Sequence, residues 1–261
     1  MCGRYTLTQK DTDRIAARFQ TRLDDLLAER VQRLEAEGAD PAEAKKYPPG
    51  MARFNVAPSQ DVLTVVANDE TGERDAKLMR WGLIPNWAKD VKVGYKMINA
   101  RSETVREKPA YRGLIGKHDH RCLILADGYY EWLRPEDPKE LKQPFRFTVD
   151  DGEPFAFAGL CSRNRATGEL IQSCTMMTCE PNAVAARIHN RMPVILSGPE
   201  AEQAWLSPEL DADGAVELCR PIDAGRMQSA PANPKLNKVG KGIEGPGLLV
   251  PPEEDGNGAG G

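Results

Sequence analysis

Residues 122–133 read CLILADGYYEWL, a stretch that begins as a continuous apolar run and becomes alternating, the pattern of strand rather than helix. Downstream, FRFTV (145–149) and FAFAGLC (155–161) alternate around the turn residues Asp150 to Gly152. Further on, SCTMMTC (173–179) and MPVIL (192–196) add two more strands. Upstream, DVLTVVA (61–67) and AKLMRWGLI (76–84) flank the turn-rich NDETGERD, which predicts a hairpin. Helices are few: NAVAARI (182–188), and GPEAEQAWL (198–206) with Pro199 near its start. Many short strands with few helices predict an α+β fold, a single domain on a folded-over, barrel-like antiparallel sheet with peripheral helices.

The ends read differently. Residues 9–46 have helical character, with Leu23, Leu26, Leu27, Val31 and Leu34 at helical spacing among many charges. Pro41, Pro48, Pro49 and Gly50 break and then end this region, so residues 21–50 are expected as a helical insertion on the surface of a domain covering 1–249. The tail VPPEEDGNGAGG (250–261) has the composition of a disordered end.

The chain has 261 residues, 40% of them hydrophobic and 28% charged, which suits a globular protein with a real core. It has no run of about 18 apolar residues and its first residues lack a secretory pattern, so the expectation is a cytoplasmic protein with no membrane partner. Cys2, Cys122, Cys161, Cys174, Cys179 and Cys219 show no tight pairing pattern, which argues against a disulfide framework. With no CxxC pair and only His118, His120 and His189 as imidazoles, no metal or other cofactor is expected. Net charge is −4 but unevenly spread: residues 77–121 hold eleven Lys and Arg against four acids. A basic segment on an acidic body reads either as scattered solvated charge or as a local phosphate-binding face.

Cys2 stands apart, at a chain end behind the initiator methionine. A residue this small permits Met1 to be removed, which leaves an α-amine and a thiol on adjacent carbons. The amine, with a pKa near 8, is partly uncharged at neutrality, and a free thiol near 8.5 is also poised. A 1,2-aminothiol condenses with an aldehyde to a Schiff base, which the sulfur closes into a thiazolidine. Gly3 permits close approach beside it, and Arg4 offers a phosphate contact.

Six blocks occur in order: CGRYTL (2–7), FNVAPSQ (54–60), RWGLIPNW (80–87), INARSET (98–104), ADGYYEW (126–132) and IHNRMPVIL (188–196). Together they resemble the SOS-response-associated peptidase (SRAP) family, which includes bacterial and human abasic-site shielding proteins. The resemblance implies that Cys2 crosslinks covalently to the ring-opened deoxyribose of abasic single-stranded DNA. It implies further that Asn99 orients the sugar and the amine, that Glu131 moves protons during Schiff-base formation, and that His189 assists sugar-ring opening. Arg4, Asn55, Arg101 and Arg191 match polar positions of a DNA-binding face. Trp81 and Trp87, in the basic segment, are candidates to stack on bases. Each has an ordinary alternative: Glu131 an edge-strand charge, His189 a capping residue, Asn99 a turn residue, Trp81 core packing.

Two other classes remain open. A glutamine amidotransferase-like N-terminal-nucleophile hydrolase also begins with Cys-Gly, but its further blocks are absent from the sequence. A non-covalent single-strand nucleic-acid binder would have no use for Cys2. The family's name implies a peptidase, and the same amine and thiol would serve autoprocessing, although only Met1 precedes Cys2. The protein is expected to act as a monomer.

Overall fold

The computed structural model describes residues 2–23, 52–137, 139–166, 168–238 and 243–252, with isolated positions between 26 and 38. In chain order the first strands are β1 (Arg4–Leu7), β2 (Thr21–Arg22), β3 (Arg53–Val56), β4 (Asp61–Ala67), β5 (Arg74–Trp81), β6 (Asn99–Arg101) and β7 (Arg121–Ala126). They continue with β8 (Gly128–Leu133), β9 (Gln143–Val149), β10 (Phe155–Asn164), β11 (Ile171–Cys179), β12 (Met192–Pro193), β13 (Ile195–Leu196) and β14 (Met227–Pro231). The helices described are α1 (Thr12–Phe19), α2 (Pro199–Leu206) and α3 (Ala212–Leu218).

Five strands close on themselves. β4 pairs with β5 and with β7, β7 with β10, and β10 with β11, all antiparallel. A parallel pairing of β11 with β5, Cys174 opposite Trp81, completes the ring. These strands are buried on both faces, with Val65, Leu123, Ile124, Phe157, Leu160 and Met176 all withdrawn from water. Each such side chain contributes roughly 1.5–3 kcal/mol when withdrawn from water. The hairpin expected at 61–81 forms, turned by Asn68, whose side chain accepts the amides of Glu70 and Thr71.

A second sheet runs β14-β9-β8-β1-β3. The stretch 122–133 therefore divides: β7 belongs to the closed ring, and at Asp127 the chain crosses to β8 in the smaller sheet. The Asp150–Gly152 turn makes a similar transfer, since β9 and β10 lie in different sheets instead of pairing. Tyr5 of β1 joins the two layers, its ring edge-on to Trp81 at 5.3 Å and to Phe157 at 5.8 Å.

The helical reading of residues 9–46 needs correction at its start. Asp11 caps α1, and Gln20 ends it in the left-handed region at φ 53°. Thr21 and Arg22 then pair in parallel with β5, so an edge partner wins over helical propensity. Residues 182–188 likewise form only a single tight turn at Ala185–Arg187, held by the Asn182 side chain. The insertion expected at 21–50 lies largely outside the described residues, as does the tail beyond Pro252. Among the described residues no helix is long and apolar enough to cross a membrane.

Candidate functional site

Three strands bring the expected residues together. Cys2 lies two residues before the start of β1, Asn99 opens β6, and Glu131 lies on β8, which pairs with β1 through Arg4 opposite Tyr130. Asn99 Nδ2 donates to the Cys2 carbonyl at 2.8 Å. Asn99 Oδ1 is buried and has no hydrogen-bond partner among the described residues. Cys2 is only 1% exposed, and its Sγ donates to the Arg4 carbonyl at 3.5 Å. Burial, reinforced by the neighbouring Glu131 carboxylate, pushes the thiol well above its ordinary range. The thiol expected to be partly ionised is therefore held neutral. All six cysteines are free and buried.

Glu131 is itself 3% exposed, and burial raises its carboxyl to about 7, against the opposing pull of the positive amino terminus. An acid half-protonated at neutrality can both accept and return a proton. Burial, followed by the positive amino terminus, depresses His189 below its ordinary value. Its Nδ1 lies 3.0 Å from the Arg191 amide nitrogen and 3.3 Å from the Arg191 carbonyl oxygen; accepting the shorter contact places the neutral ring's proton on Nε2.

Glu131 and His189 line an open cleft of about 400 Å³ together with Gly3 and Arg4, and the buried Cys2 adjoins it through Gly3. Arg134, Lys142 and Trp132 complete its walls, and the sequence reading had not singled them out. Trp132 is the last residue of the GYYEW block and Arg134 lies two residues beyond it, but Lys142 carries no local signal. Trp132 Nε1 donates to Asn237 Oδ1 at 2.8 Å, fixing the wall. Arg4 Nη1 donates to Asn55 Oδ1 at 3.0 Å, and Asn55 Nδ2 donates to the Ile243 carbonyl at 2.8 Å. Both ends of the buried Asn55 amide are thus committed, so it braces Arg4 and offers nothing outward.

The remaining expected DNA contacts separate. Trp81 is 0% exposed and its indole donates to the Ile98 carbonyl at 2.9 Å, so it is core and has no face for a base. Trp87 is 60% exposed, as is Tyr95. Their loop is pinned where Gly82 meets Gly94: a Cβ on Gly82 would fall 2.6 Å from the Gly94 carbonyl oxygen. Lys89, Lys92, Lys96 and Arg101 are exposed around it. Arg191 instead spends its guanidinium on both Glu103 oxygens, at 2.6 and 2.9 Å, and on the Thr178 carbonyl. In this arrangement its charge is matched by Glu103, and its contacts brace the chain at Thr178. Arg121, counted in the basic segment, is fully buried and donates to the carbonyls of Ile115, Ser207 and Leu210.

The SOS response associated peptidase (SRAP) family model matches residues 1–239. The abasic site processing protein YoqW of Bacillus subtilis (strain 168) is 43% identical over 240 residues, covering 91% of this chain and 94% of that one. The abasic site processing protein HMCES of Xenopus tropicalis is 32% identical over 207 residues, covering 69% of this chain and 61% of that one. A crystal structure from Bacteroides thetaiotaomicron shares the fold, with a TM-score of 0.75 at 24% identity over 95% of this chain and 98% of that one. Another, from Bordetella bronchiseptica, superposes with a TM-score of 0.66 at 27% identity over 89% and 100%.

Proposed function

The chain belongs to the SOS response-associated peptidase family, and from that premise we propose that it processes abasic sites in single-stranded DNA by bonding covalently to the exposed sugar aldehyde through Cys2. The observation that carries the reading is the grip of Asn99 on the Cys2 backbone, at 2.8 Å, beside a carboxyl raised to about 7. The names of the relatives point to the lesion, and the chemistry of the cleft points to the mode of capture.

Loss of Met1 exposes the α-amine of Cys2. The amine adds to the aldehyde carbon, and the carbinolamine expels water to give an iminium. The thiol then adds to the same carbon and gives up its proton, closing a thiazolidine with net loss of one water. Because the thiol is held neutral, the amine acts first. Glu131 is suited to take a proton from the amine, return one to the departing hydroxyl, and accept the thiol proton last. Asn99 Oδ1 is the acceptor that aims the amine. His189, neutral with its proton on Nε2, is suited to donate to the sugar-ring oxygen as the hemiacetal opens. Arg4 and Arg101 would hold phosphates flanking the lesion, and exposed Trp87 would stack on a base.

The test is to block the amine. A retained N-terminal tag should abolish crosslinking to abasic single-stranded DNA while leaving reversible binding nearly intact. Full crosslinking by protein whose tag is shown by mass spectrometry to be in place would reject the reading.

A further inference from the structure

Cys2 is positioned through β1, a strand of only four residues. Pairing with β3 does not fix that strand's register, because the ladder shifts between Tyr5 and Leu7. Pairing with β8 is regular, Arg4 opposite Tyr130 and Thr6 opposite Gly128. Side chains alternate along a strand, so a slip of one residue would turn Cys2 to the other face and move it by about 3.3 Å. Something must therefore hold β1 against the start of β8.

Asp127 sits at that point, where the chain leaves the closed ring. Its carboxylate is 2% exposed and gathers donors from four places on residues 6–9. Oδ1 accepts the Thr6 hydroxyl at 2.6 Å. Oδ2 accepts the Thr8 hydroxyl at 2.7 Å, the Gln9 amide at 3.2 Å, and the Thr8 amide. The backbone adds a further tie, since the Asp127 amide donates to the Thr6 carbonyl at 2.9 Å. Arg146 Nη2 lies 3.6 Å from Oδ1 and supplies the countercharge. The next residue admits no side chain: a Cβ on Gly128 would lie 2.8 Å from Thr6 Oγ1 and 2.9 Å from the Phe147 carbonyl oxygen. The two strands are thus pressed together where the carboxylate grips.

We propose that Asp127 is a positioning residue for the Cys2 nucleophile: its buried carboxylate clamps the exit of β1 and so fixes the register that sets Cys2 beside Glu131 and the cleft. The inference rests on the reading of Cys2 given above. Asp127 touches neither the cleft nor the reacting atoms. It acts through residues 6–9, and its worth is the rigidity it gives a short strand. A misplacement of about 1 Å at reacting atoms costs on the order of 10²-fold in rate.

The test compares full-length wild type with Asp127→Asn, which keeps the volume but turns an amide N–H donor toward donors. Three quantities are measured: the single-turnover crosslinking rate at saturating abasic single-stranded DNA, the reversible DNA affinity, and amide hydrogen exchange across residues 4–9. Asp211→Ala, which uncaps α3 away from the cleft, is the control for lost stability. We expect Asp127→Asn to crosslink about 100-fold more slowly, with affinity within about twofold of wild type, faster exchange over residues 4–9, and an unaffected control. Should Asp127→Asn not fold, Thr8→Val removes one donor alone and should slow crosslinking by about fivefold, the worth of one hydrogen bond. A rate no slower than that of Asp211→Ala, or a loss confined to affinity, would overturn the clamp while leaving the chemistry of Cys2 standing. A wild type that forms no adduct would overturn both.

Discussion

Asn99 donates its side-chain amide to the backbone carbonyl of Cys2 at 2.8 Å, a contact between residues 97 apart in the chain. It ties the start of one sheet to a strand of the other, and its Oδ1 is buried with no hydrogen-bond partner among the described residues. Asn99→Ala should lose both functions and slow crosslinking by about 10²-fold through misplacement. Asn99→Asp keeps Oδ1 but loses the donor, so it should fall between the two. Rates measured at saturating DNA check this, and equal rates for all three proteins would remove Asn99 from the site.

Glu131 gives a pH signature. Burial raises its carboxyl from 4.5 to about 7. Below about pH 4.5 both folded and unfolded states hold the proton and the residue contributes nothing. Between 4.5 and 7 the unfolded chain loses it first, so folding stability falls as pH rises, by on the order of 3 kcal/mol in all. Glu131→Gln should therefore melt with wild type at pH 4 and above it at pH 8. The same substitution should slow crosslinking by about 10²–10⁴-fold and flatten the limb of the rate profile near pH 7.

The fold was largely legible because its strands are written as short apolar runs bounded by turn residues, as in DVLTVVA and FAFAGLC. What was not legible is where a strand changes sheet. The run 122–133 looks continuous, and only Asp127, a lone acid after an apolar run, marks the crossing. Cys2, Asn99, Glu131 and His189, the residues proposed for the site, were nameable from the sequence blocks, and the fold sets Asn99 against Cys2 and puts Glu131 and His189 on one cleft. Exposure was not legible: Trp81 and Trp87 sit in one motif, yet the first is sealed in the core and the second stands in solvent. Pairing was equally hidden, since nothing in IHNR says that Arg191 is occupied by Glu103, 88 residues away.

That difference predicts how the basic residues respond to salt. Arg101 is exposed, so Arg101→Ala should weaken DNA binding and flatten the slope of log affinity against log salt by about 0.7. Arg191→Ala should leave the slope unchanged and instead lower stability, because it strands Glu103 and loosens the His189 turn. Arg106, paired with Asp213 and away from the cleft, serves as a control. Binding titrations at several salt concentrations distinguish these, and equal slope changes at Arg101 and Arg106 would mean a diffuse electrostatic surface.

The two tryptophans should separate in the same assays. Trp87→Ala should lose about 1–3 kcal/mol of DNA binding with an unchanged melting temperature. Trp81→Ala should cost about 3–5 kcal/mol of folding stability from the cavity it leaves. Thermal melts beside binding titrations check the pair, and a destabilised Trp87→Ala would place that ring in the fold.

On the proposed chemistry, Cys2 captures the sugar aldehyde as a closed ring. Mature protein incubated with abasic single-stranded DNA, then heated in detergent without borohydride and run on a denaturing gel, tests it most directly. Wild type should give a stable shifted band. Cys2→Ala, which keeps the amine but loses ring closure, should give one only after reductive trapping. A wild-type band that also requires reduction would contradict the thiazolidine, and no band under either condition would contradict covalent capture altogether.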